Sequence, residues 1–66
     1  MTISATKINL LKAEQRLTNS ALAERSGISR QSISTILLRG TCSPITAGKL
    51  ARGLGVSVAD IIREEA

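Results

Sequence analysis

Histidine, tryptophan, tyrosine and phenylalanine are all missing from these 66 residues, and cysteine, proline and methionine occur once each. Each gap removes a kind of chemistry. Without histidine there is no side chain that ordinarily titrates near neutrality, the commonest general acid and base. Without aromatics there is no platform on which the bases of single-stranded DNA or RNA could stack. A lone Cys42 cannot close an internal disulfide, which fits a reducing compartment, and nothing near it in the sequence suggests a metal partner or an activated thiol. There is no metal-ligand cluster and no phosphate-binding glycine loop. The expectation is therefore a protein that is not an enzyme, with no catalytic residues, no metal, no cofactor and no small-molecule ligand. No charged segment leads into an apolar run and no stretch reaches transmembrane length, so a soluble, cytoplasmic chain is expected.

Acidic residues are scarce as well. Nine lysines and arginines against five aspartates and glutamates give a formal charge of +4 and a pI near 10.3. The imbalance is local. Residues 1 to 53 carry eight basic residues against Glu14 and Glu24, a net of +6, whereas residues 54 to 66 carry Arg63 against Asp60, Glu64 and Glu65, a net of −2. A polyanionic partner suits the first segment, and the acidic end should point away from it.

What is present is a set of helix boundaries. The length allows one domain, 1–66, and an apolar share of 42% is enough for a globule. Thr18 is a candidate N-cap with Leu17 before it and Leu22 after. Ser29 repeats the pattern with Ile28 and Ile33, and Ser57 with Val56 and Ile61. In each, the residue before the cap can pack on the fourth helical residue. Ser57 also has Asp60 three residues on, as in a capping box. Ser43 followed by Pro44 marks a further start, because proline suits the first helical position. Gly27, Gly40 and Gly55 follow helical runs, where a left-handed residue commonly ends a helix. These signals predict five helices, about 6–14, 19–26, 30–39, 45–54 and 58–64, and no sheet, since no segment alternates with period two. The expected core draws on Ile8, Leu11, Leu22, Ala23, Ile33, Ile36, Leu37, Ala47, Leu50, Ala51, Leu54, Val58, Ile61 and Ile62. Gly48 and Gly53 weaken the fourth helix by about 1 kcal/mol each unless they permit close approach.

The third predicted helix has an unusual polar side. At about 100° per residue, Ile33, Ile36 and Leu37 centre one arc; Gln31, Ser34 and Thr35 lie opposite, with Arg30 on the flank. Only Gly27 and Ile28 separate Ser26 from Ser29, which forces a sharp turn between the second and third helices.

The stretch LTNSALAERSGISRQSISTI, Leu17 to Ile36, with Ala23, Gly27, Ile28, Ile33 and Ile36 at their spacing, resembles the XRE-type helix-turn-helix family of Cro proteins and lambdoid repressors. LLKAEQR is similar to that family's first helix and SPITAGKLARGLGVSVADII to its fourth and fifth. The resemblance covers about residues 7 to 63 and implies an all-α, five-helix, lambda-repressor-like DNA-binding domain with its helix-turn-helix at helices two and three. It implies that the third helix enters the major groove of double-stranded DNA. Ser29, Arg30, Gln31, Ser34 and Thr35 then fall on base-facing positions, although Ser29 is first a cap. Asn19, Ser32, Arg39, Thr41 and Ser43 would contact the DNA backbone. The chemistry fits: a guanidinium grips guanine O6 and N7, Gln31 bonds adenine N7 and N6, and a threonine methyl packs on a thymine methyl. Lys7, Lys12 and Lys49 read as solvated surface, with Lys12 or Arg16 able to neutralise phosphate if the first helix flanks DNA.

The resemblance further implies a transcriptional regulator, a repressor acting as a homodimer on an inverted-repeat operator, in a bacterial or phage-derived setting at the nucleoid. Ile45, Val58 and Ile62 are the candidates for a dimer interface. The alternative is an antitoxin-like or other protein-interaction module whose main partner is another protein. Four positions depart from the family pattern. Ser26 stands where an aliphatic residue is usual, and Arg16 where glycine is frequent. Leu37 replaces a common acidic residue. The third helix is one residue longer before its glycine, which puts Leu38 on the polar face if the helix stays regular.

Overall fold

A computed structural model describes residues 1–63 and is helical, with α1 over Ala5–Gln15, α2 over Asn19–Ser26, α3 over Arg30–Arg39 and α4 over Pro44–Leu54. The local caps explain these limits. Thr18 Oγ1 accepts from Ala21 N at 3.0 Å, Ser29 Oγ from Ser32 N at 3.1 Å and Ser43 Oγ from Thr46 N at 3.2 Å. Each bond satisfies a backbone donor that the first turn leaves unpaired. Ser4, unmarked by the sequence reading, caps α1 in the same way, accepting from Lys7 N at 3.2 Å. At the other ends, Gly27 takes φ 74° after α2, while Arg16 holds φ 55° after α1.

The expected fifth helix, 58–64, is corrected. Val58–Asp60 forms a single 3₁₀ turn, and residue 64 lies outside the described residues. The turn starts as the sequence suggests: Ser57 N and Ser57 Oγ both donate to Asp60 Oδ2 at 3.2 Å. It stops because the chain beyond it pairs with the N-terminus instead. Ser4 N donates to Ile61 O at 2.8 Å and Arg63 N to Thr2 O at 3.1 Å, around an isolated antiparallel bridge between Ile3 and Ile62. Backbone groups engaged in that pairing cannot also extend a helix. The same N-terminal segment reaches Thr41 through a second bridge, with Ile3 N donating to Gly40 O at 2.9 Å. Two-residue pairings of this kind carry no alternation that a sequence could display.

The core forms where all four helices meet the segments around Ile3 and Ile61. Ile3, Ile8, Leu22, Ile33, Ile36, Ala47, Leu50, Ala51, Leu54 and Ile61 are buried, and Leu17, Ile28, Leu37 and Val58 pack against them from the rim. Ile3 is the member that sequence periodicity missed. The unusual Ser26 is buried too, and its small size is used: a β-carbon on Gly53 would sit 2.9 Å from Ser26 Cβ. A glycine on α4 and a serine on α2 thus let the two helices approach closely. A β-carbon on Gly48 would meet nothing within 4 Å among the described residues, so Gly48 serves no such purpose. Gln15 Nε2 ties α1 to the end of α4 by donating to Leu54 O at 2.6 Å. Among the described residues, no helix is long and apolar enough to cross a membrane.

Candidate nucleic-acid interface

Burial of Ile33 and Ile36 fixes the rotation of α3, and with it the face that looks outward. Gln31, Ser34, Thr35 and Leu38 are all exposed along that face. The helix stays regular through Arg39, so Leu38 stands on the polar side and is 87% exposed. Thr35 Oγ1 donates to Gln31 O at 3.1 Å. That bond commits the hydroxyl proton to the helix backbone and leaves the methyl available to a partner.

Ser29 and Ser32 form a linked pair at the start of α3. Ser29 Oγ accepts from Ser32 N and donates to Ser32 Oγ at 2.8 Å, so Ser29 keeps one lone pair and can only accept from a partner, while Ser32 keeps its own proton for an outside acceptor. The start of α4 repeats the arrangement, with Ser43 Oγ donating to Thr46 Oγ1 at 2.9 Å. Both helix starts line one open concavity of about 750 Å³ with Arg39, Thr41, Cys42 and Lys49 around it. Unpaired backbone donors, free hydroxyls and two cations make this a place for an anion. Burial pushes the Cys42 thiol above its ordinary pKa, and the N-terminal ammonium only partly opposes that, so the thiol contributes no negative charge to the concavity at neutral pH.

A second cationic cluster lies at the start of α2. Lys12 Nζ donates to Asn19 Oδ1, and Arg30 Nη1 lies 3.5 Å from Ser20 Oγ. Lys12 comes from α1 and Arg30 from α3, so α2's first turn has a cation on either side. Arg30 therefore leans toward α2 and away from Gln31. The structure brings Ser32, Arg39, Thr41 and Ser43 to one side of α3's outward face, and Asn19 to the other. Ser20 and Thr46 join these clusters without any signal in the sequence, and Lys49, read as solvated surface, joins the concavity; Lys12, considered for phosphate if the first helix flanks DNA, stands beside Asn19. The three dimer candidates differ: Ile45 is 76% exposed, Val58 is half-buried against the core, and Ile62 is half-buried with its backbone bridged to Ile3.

α2 and α3, joined by a short turn around Gly27 and followed by α4, whose start lines the same concavity as the start of α3, define a helix-turn-helix unit. The model of a helix-turn-helix family, HTH_3, matches residues 8–61. The chain belongs to this XRE-type helix-turn-helix family, which is a family of DNA-binding domains. No curated protein and no solved structure matches the chain.

Proposed function

We propose that this chain is a sequence-specific regulator of transcription that binds double-stranded DNA, acting as a repressor in the form of a homodimer on an inverted repeat. The observation that supports this most is the outward face of α3. Gln31, Ser34 and Thr35 present an amide, a hydroxyl and a methyl between two clusters suited to phosphates. With α3 in the major groove, the start of α2 faces the phosphates on one side and the concavity at α4 faces those on the other. Gln31 reads adenine, and Thr35 offers its methyl to thymine. Arg30 grips guanine after leaving Ser20, a long contact that is easily given up; Ser29 and Ser34 complete the base-facing set. Asn19, Ser32, Arg39, Thr41 and Ser43 hold the backbone. Pairing of two copies is assigned first to the exposed Ile45, with the half-buried Val58 and Ile62 as the further candidates. The setting is the cytoplasm of a bacterial cell, where the chain acts on genomic or phage DNA.

Two substitutions separate reading from holding. Gln31→Ala should relax base preference at one position of each half-site, at a cost of about 1–3 kcal/mol on the preferred sequence. Asn19→Ala should weaken binding to specific and random duplexes alike. Titration of both variants against both kinds of duplex checks this. Equal losses from the two substitutions on both duplexes would contradict the assignment of α3 as the reading element.

A further inference from the structure

The outward face of α3 changes character along its length. It begins with the Gln31 amide, passes the Ser34 hydroxyl and the Thr35 methyl, and ends on Leu38. Leu38 lies seven residues beyond Gln31, within about 20° of the same line along the helix, and about 10 Å farther along the axis. It follows Ser34 by four residues and Thr35 by three, the spacings at which helix side chains adjoin. Opposite the core, with 87% of its surface exposed, Leu38 packs little against the described residues. An isobutyl group there, in line with three base-facing side chains, is suited to one feature of the major groove. The C5-methyl of thymine is its one apolar group.

We propose that Leu38 is a specificity-determining residue that selects thymine through its C5-methyl. It does so about one to three base steps from the pair read by Gln31, because α3 lies along the groove and so advances less than its own ~10 Å along the duplex axis. The inference rests on the reading of α3 as the base-facing helix. Thr35, whose hydroxyl is turned to Gln31 O, offers its methyl beside Leu38. The two side chains form a short apolar step that accepts neighbouring thymine methyls and gives cytosine, which lacks that methyl and presents an amino donor, nothing to bond. A second copy of the chain is the competing occupant of Leu38, and the test separates the two.

Duplexes are selected from a random library with the wild-type chain. Each thymine of the enriched sequence is then replaced in turn by deoxyuridine, which removes only the methyl. Two thymines per half-site should respond, one at Leu38 and one at Thr35, and replacing the first should weaken wild-type binding about fourfold, the factor expected for losing burial of one methyl. For Leu38→Ala the same replacement should have no effect, and Thr35→Ser should lose its sensitivity at a different thymine. Leu38→Gln serves as a second variant, and circular dichroism confirms that both Leu38 variants keep their helices. If Leu38→Ala responds to deoxyuridine as the wild type does, the inference is overturned while the DNA-binding reading stands. If Leu38→Ala abolishes self-association in sedimentation and leaves methyl sensitivity intact, Leu38 belongs to a subunit contact and the inference is again overturned. If the wild-type chain enriches no duplex, the reading beneath the inference falls with it.

Discussion

Arg16 holds φ 55°, the one positive value outside glycine among the described residues. A β-carbon in that left-handed region costs about 1–2 kcal/mol. Glycine would remove the clash, offset in part by the greater freedom it gives the unfolded chain. Arg16→Gly should therefore stabilise the fold by about 0.5–1 kcal/mol, raising the melting temperature by several degrees in a domain of this size. Arg16→Ala keeps the β-carbon and should bring no such gain; urea denaturation of the two variants distinguishes them. The strain was legible as a departure from the family pattern, since glycine is frequent there. Other residue-scale features were not. That Arg30 leans on Ser20, or that Lys12 bonds Asn19, depends on how α1 and α3 flank α2. No local spacing encodes it.

At the scale of elements, caps and staples were readable because each joins residues three to five apart. The limits of α2, α3 and α4 follow from Thr18, Ser29 and Ser43 for that reason. The fifth helix failed where a non-local competitor intervened. Ile61 and Ile62 have helical spacing with Val58, yet their backbone pairs with Ile3 and Ser4 at the far end of the chain. The two glycines of α4 divide in the same way. Helix propensity treats Gly48 and Gly53 alike, whereas packing against Ser26 makes only Gly53 necessary. Gly53→Ala should destabilise the fold by about 1–3 kcal/mol, because the new methyl must push α2 and α4 apart. Gly48→Ala should stabilise it by up to about 1 kcal/mol. Thermal denaturation of the pair checks the account, and similar effects from both would contradict the close approach of the two helices at Ser26.

For the whole molecule, charge and shape act together. The basic excess of residues 1 to 53 was legible from counting, but its division into two clusters flanking α3 was not. The expectation that the acidic end, residues 54 to 66, points away from the basic face turns on Glu64 and Glu65, which lie outside the described residues. Lys49, read from sequence as solvated surface, lines the concavity with Arg39 and Thr46. In a dimer, removing it from both copies takes away two phosphate contacts. Lys49→Ala should therefore flatten the dependence of log affinity on log salt concentration by about 2. It should leave base preference unchanged, which a salt series on preferred and random duplexes measures.

Selection of the wild-type chain against a library of random duplexes asks whether α3 reads sequence at all. Enrichment of an inverted repeat whose half-sites lie about one helical turn apart is expected. Gln31→Ala should lose preference at one symmetric position. Retention of duplex DNA with no enriched sequence, or the same enriched sequence from wild type and Gln31→Ala, would contradict a reading role for α3.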